Sequence, residues 1–105
     1  MPGAEGTGTP PFRLVYSEAV RDEVRRLGAA ASDMGNTAPF LASLKALQER
    51  MSRDPLDFGE PLHDFKHVEL QVRAGGHGQL FVRYAVDADR GLVYPLRFRL
   101  FGAEE

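Results

Sequence analysis

The stretch from Val68 to Leu100, VELQVRAGGHGQLFVRYAVDADRGLVYPLRFRL, decides the fold. Side chains of an extended strand point to opposite faces in turn. Read with that period, Val68, Leu70 and Val72 share one face, and Glu69, Gln71 and Arg73 share the other. The split recurs twice: Leu80, Val82, Tyr84 and Val86 oppose Phe81, Arg83 and Ala85, and Tyr94, Leu96, Phe98 and Leu100 oppose Pro95, Arg97 and Arg99. Gly75-Gly76-His77-Gly78 and Asp87-Ala88-Asp89-Arg90-Gly91 have the composition of tight turns. The stretch therefore predicts an antiparallel meander with one apolar face and one face rich in arginine.

Upstream, residues 54–66 (DPLDFGEPLHDFK) hold two prolines and a glycine, which predicts an irregular connector anchored by Leu56, Phe58, Leu62 and Phe65. Before it, Asn36 or Thr37 caps a helix whose apolar stripe is Phe40, Leu44, Leu47 and Met51, with Pro39 tolerated in the first turn and Asp54-Pro55 as the stop. An earlier helix starts at Ser17, repeats Val20, Val24, Leu27 and Ala31 at helical spacing, and stops near Asp33-Met34-Gly35. Phe12, Leu14 and Tyr16 alternate with Arg13 and Val15 as a short first strand. Residues 1–11 (MPGAEGTGTPP) are too poor in apolar groups to repay the entropy of ordering, and read as a flexible tail. The expectation is one domain over 12–105, an α+β fold of order β-α-α-β-β-β, with two helices packed on one face of an antiparallel sheet.

Composition narrows the function. The chain has 105 residues, 43% of them hydrophobic, enough for one modest core. There is no cysteine, so disulfides, thiolate nucleophiles and cysteine-based zinc sites are excluded. No apolar run suits a membrane span and no basic-then-apolar leader is present, which predicts a soluble cytoplasmic protein without a membrane partner. A net charge of −2 is not that of a bulk nucleic-acid binder. The cations are distributed unevenly, however: residues 1–65 carry 7 basic and 10 acidic side chains, residues 66–105 carry 6 and 5, and the basic groups are Arg except for Lys45 and Lys66. Arginine suits planar contacts to phosphate or carboxylate.

The order of elements, the opening FRLVYSEAVRDEVRRL, the helix closing in Asp54-Pro55, the connector Gly59-Glu60-Pro61-Leu62, and the meander segments Tyr84-Ala85-Val86 and Leu96-Arg97-Phe98-Arg99 together resemble the RelE/ParE superfamily of type II toxin–antitoxin toxins, over roughly residues 12–101. Glu60-Pro61-Leu62 is similar to the connector of the YoeB-like branch, ribosome-associated ribonucleases that cleave messenger RNA. The resemblance implies a toxin that inhibits translation, with a cognate antitoxin and the ribosome and its mRNA as partners; no cofactor or metal is expected. It implies Glu60 as general base on a ribose 2′-hydroxyl. The family's middle-strand arginine position holds Phe81 here, with Arg83 two residues on and facing the same way. The family's His-Tyr ending falls on Arg99 and Leu100. Arg99 can bind charge but is a poor proton donor.

The candidate catalytic residues are thus Glu60, Arg83, Arg99 and His77, the last placed by its glycine-rich turn near the arginine face. Arg73, Arg97, Arg13 and Phe81 are candidates for binding RNA or another anion, with Phe81 available to stack on a base or to be covered by Phe101 to Glu105. His63 and His67 have helical metal spacing, but Pro61 opposes a helix there and no third ligand is evident beyond Asp64, so no metal site is assigned. Besides an endoribonuclease, the sequence fits a RelE-fold binding module without catalysis, whose arginine face docks an acidic protein segment, and an inert orphan of the fold; the resemblance also leaves open a gyrase-directed toxin of the ParE type, whose members lack the nuclease residues.

Overall fold

A computed structural model describes residues 11–65 and 70–101 of the chain. It is an α+β protein with two helices and a five-stranded mixed sheet. In chain order the elements are β1 (Arg13–Leu14), α1 (Glu18–Asp33), α2 (Thr37–Arg53), β2 (Glu60–Phe65), β3 (Leu70–His77), β4 (Leu80–Asp87) and β5 (Leu92–Leu100). Across the sheet the strands run β1-β5-β4-β3-β2; β1 pairs with β5 in parallel and every other pair is antiparallel. The tail assigned to residues 1–11 lies, but for Pro11, outside the described residues.

Local chemistry sets the helix limits. The Ser17 hydroxyl accepts the Val20 N–H at 3.1 Å, satisfying a donor that the first turn leaves free. At the other end of α1, Asn36 N–H returns to the Ala31 carbonyl at 2.7 Å and Gly35 N–H to Ser32 at 3.0 Å, the paired bonds of a Schellman motif. That closure needs a left-handed residue, and Gly35 supplies it with φ +73°. The chain then enters α2 at once. Val20 and Ala31 of α1 and Phe40, Leu47 and Met51 of α2 join Leu80, Val82, Tyr84, Val86, Val93, Phe98 and Leu100 in a single buried cluster. Tyr16 packs against it, its ring 6.4 Å from that of Phe98 and its hydroxyl taking a 2.7 Å bond from Gln48.

Three expectations from the sequence are corrected. The connector is not irregular throughout, because Glu60–Phe65 forms edge strand β2 against β3, with a bulge between Pro61 and His63. The proline is tolerated there because an edge strand has one row of amides that need no partner. The phase of β3 is reversed: Arg73 pairs with Tyr84, which belongs to the core, while Val72 pairs with Ala85 on the opposite side. In β5 the alternation breaks. Arg83 pairs with Arg97 but Tyr84 pairs with Pro95, leaving Leu96 as an extra, exposed residue. Such a bulge flips the phase of a strand. Val93 and Pro95 therefore face the core before it and Phe98 and Leu100 after it, and Tyr94 and Leu96 do not belong to the core row.

No described helix is long and apolar enough to cross a membrane.

Candidate anion-binding face

Directly opposed residues of antiparallel strands project from the same face, so the register determines what gathers on the side of the sheet away from the core cluster. One row crosses four strands as Glu60, Ala74, Arg83 and Arg97. The next runs Gly76, Phe81, Arg99. Together they form a shallow pocket of about 170 Å³ lined by Ala74, Phe81, Val82, Arg83, Arg97 and Arg99. Neighbouring strands lie about 4.8 Å apart, so Glu60 and Arg83 emerge about 10 Å apart with only the methyl group of Ala74 between them. That leaves a carboxylate and a guanidinium facing each other across a notch.

The small residues under the rows are there for steric reasons. Phe81 lies across Gly76, where a Cβ would come within 2.7 Å of the ring. On its other side Phe81 meets Phe101, with ring centroids 4.8 Å apart and planes tilted by 47°. Both residues stay partly open, at 40% and 44% exposure.

The arginines differ in engagement. Arg83 is exposed and makes no ion pair among the described residues. Arg97 places its Nε 3.5 Å from Glu23 of α1, and the same carboxylate accepts the Phe98 N–H at 2.8 Å. Glu23 thereby covers part of the free edge of β5 beyond β1 and offsets some of the charge of Arg97. Arg99 is exposed and has a partner within the protein.

Three candidates from the sequence lie elsewhere. Arg73 is on the core side and buried; its Nε donates to the Phe58 carbonyl at 3.2 Å, Nη2 to the Gly59 carbonyl at 3.0 Å and Nη1 to the Gln71 side chain at 3.1 Å. It braces the chain just before Glu60 and binds no ligand on the open face. His77 pairs with Leu80 and so emerges on the core side, at the exposed end of the β3–β4 hairpin, away from Arg83 and Arg97. Arg13 pairs with Leu92, five residues before Arg97, which puts it about 16 Å along the sheet at 3.3 Å per residue. His67 and the side chain of His63 lie outside the described residues, among which no cluster of three or more metal-ligating groups occurs.

Two groups went unassigned in the sequence. Glu23 carries no local signal, because its role depends on how α1 lies along β5. Ala74 is visible only after the reversed phase of β3 is known.

The connector that delivers Glu60 is locked from beneath. Phe58 stacks on Tyr84 with centroids 5.9 Å apart, Arg50 lies 4.9 Å over the Phe58 ring, and the Tyr84 hydroxyl donates to the carbonyls of Pro55, at 2.8 Å, and Phe58. Gly59 has φ +74°, and a Cβ there would come within 2.6 Å of the Ala74 carbonyl, so only glycine fits before Glu60. Burial pushes the Tyr84 phenol up to about 12, against the opposing pull of the Arg73 guanidinium. An acid whose folded-state value is raised is more protonated in the folded than in the unfolded chain. Stability from Tyr84 is therefore complete below pH 10 and is lost as the pH rises towards 12. Absorbance titration should show one tyrosine ionising near pH 12 with unfolding, and Tyr84→Phe should flatten the alkaline decline in urea midpoint.

No protein-family model, curated protein or solved structure matches the chain. The chemistry of this face rests on its own side chains: guanidinium forks for a phosphate or carboxylate, an aromatic pair beside them, and one carboxylate across a notch.

Proposed function

We propose that the chain is a RelE/ParE-like toxin of a type II toxin–antitoxin system, a cytoplasmic, metal-independent endoribonuclease that cuts messenger RNA on the ribosome. The observation that carries this reading is the row Glu60, Ala74, Arg83, Arg97 with Phe81 and Arg99 beside it. The Glu60 carboxylate takes the proton of a ribose 2′-hydroxyl, the 2′-oxygen attacks the adjacent phosphorus, and the 5′-oxygen leaves with a proton from water. Arg83 and Arg99 hold the charge that accumulates on the phosphoryl oxygens. With His77 on the other side of the sheet and Arg99 unable to give up a proton, no described side chain is assigned as the general acid, which makes for slow cleavage.

The test is induced expression followed by measurement of bulk translation and mapping of mRNA ends. Wild type arrests translation and yields discrete ends; Glu60→Gln lowers the cleavage rate about 10²–10⁴-fold, the range for loss of a general base. Harmless wild-type protein at high level overturns the nuclease.

The ion pair between Arg97 and Glu23 favours a second reading, because it shows a guanidinium of this face already taking a carboxylate. On that reading the face docks an acidic segment of a partner protein, such as an antitoxin, without catalysis. A protein that binds an acidic peptide, leaves mRNA intact and does not arrest growth fits the second reading alone.

A further inference from the structure

A second concavity lies where the turn between the helices meets the β3–β4 hairpin, on the core side of the sheet and away from the arginines. Its volume is about 390 Å³, within the size range of ligand sites, and its walls include Ala31, Pro39, Phe40, Leu80 and Leu100, with Met34 at the rim. Ser43 opens into it. This residue is only 8% exposed, and its hydroxyl makes no hydrogen bond among the described residues. A buried hydroxyl without a partner is costly and rare in folded proteins. Gly78, at φ +62°, brings the hairpin backbone close against Ser43, since a Cβ there would come within 2.6 Å of the Ser43 Oγ, and both residues line the cavity. Asn36, the N-cap of α2 about two turns before Ser43 and on the same side of the helix, also lines the cavity, and its side chain makes no capping bond to α2. Gln79 beside Gly78 completes the lining, and none of the lining residues is charged.

We propose that this cavity is a binding site for a small, uncharged, mainly apolar ring compound carrying one hydroxyl or amide group, which the Ser43 hydroxyl and the Asn36 amide engage. The walls supply apolar contact, and the absence of a charged partner disfavours an ionic ligand, whose desolvation nothing would offset. The site is independent of the arginine face and of the nuclease reading.

The experiment follows backbone amide shifts of the full chain during titration with phenol, with benzamide and, as the ring without a polar group, with toluene. Phenol and benzamide give saturable millimolar or tighter shifts centred on Ser43, Gly78 and Gln79. Ser43→Ala keeps the room and suits a helix; it weakens phenol about 2- to 12-fold, the equivalent of one neutral hydrogen bond, and leaves toluene unchanged. Ser43→Leu fills the cavity and abolishes all three. The proposal is overturned if neither phenol nor benzamide gives saturable shifts at these amides, or if Ser43→Ala affects phenol and toluene alike.

Discussion

Replacing Arg73 by Met should cost about 3–5 kcal/mol of folding stability, whereas the same change at Arg83 should cost about 0.5 kcal/mol or less. Both are strand arginines, and the difference comes entirely from what each guanidinium touches. Arg73 gives one donor each to the Phe58 and Gly59 carbonyls and a third to Gln71, all from a buried position. Hydrogen bonds from a charged donor contribute about 1.5–3 kcal/mol each, and the Gly59 carbonyl, unlike that of Phe58 which keeps the Tyr84 hydroxyl, loses its donor at about 1–3 kcal/mol, with the terms overlapping. Methionine retains most of the apolar stem, so packing changes little and the loss reports the hydrogen bonds. Arg73→Lys should fall between the two, since one ammonium cannot reproduce a fork that reaches two carbonyls. Urea midpoints of the three variants at constant m-value check this. Equal, small losses at Arg73 and Arg83 would mean that Arg73 does not brace the connector.

The same residue shows where the sequence is legible and where it is not. Both helices can be read to within a residue or two, since their caps and stripes are local: Ser17 beside Val20, Gly35 after Ala31, Phe40 to Met51 at helical spacing. The alternation in β4 is also plain, because both neighbours of that strand are present and its apolar residues meet the helices. In β3 it misleads. Val72 is buried as its apolar character suggests, but on the side away from the main core cluster with Ala85, and the row on the cluster's side is Arg73 and Gly75, with Phe58 of the connector seated over Gly75 so closely that a Cβ would come within 2.6 Å of its ring. The connector supplies the apolar group that the strand itself lacks there, and no period within β3 can show that. The bulge at Leu96 is equally silent, since a single extra residue leaves composition unchanged while reversing the faces before and after it. Arg83, Arg97, Arg99 and Phe81 nevertheless share one face in the period and in the register alike, because all lie on β4 or beyond the bulge, where the simple period holds. Glu60 reaches this face by way of a strand that Pro61 conceals.

If RNA is the ligand of the open face, its binding should depend on salt in a way that counts the arginines. For single strands, log affinity falls with log salt at about −0.7 per phosphate neutralised, so Arg83, Arg97 and Arg99 together set a ceiling of about −2, with Arg97 and Arg99 contributing less than a full share because each already has a partner. Arg83→Gln should remove about 0.7 of that slope, since Arg83 makes no competing ion pair among the described residues. Arg97→Gln should remove less, because Glu23 already holds its Nε at 3.5 Å. Glu23→Gln turns this into a gain: the amide oxygen still accepts the Phe98 N–H, the guanidinium is released, and both affinity and slope rise. The triple change to Gln should lower affinity for a short oligoribonucleotide about 10³-fold or more at low salt, allowing one charge-assisted contact of at least about 1.5 kcal/mol per residue. Phe81→Ala should weaken binding by about 1–3 kcal/mol through lost stacking while leaving the slope intact, which separates the aromatic contribution from the ionic one. Fluorescence anisotropy of a labelled oligoribonucleotide across a salt series measures every one of these quantities. An acidic peptide in place of RNA carries no condensed counterion layer of that kind and has no bases to stack on Phe81 and Phe101. A face that holds the peptide, ignores Phe81→Ala and shows no phosphate-counting slope is a protein-docking surface and not a ribonuclease site.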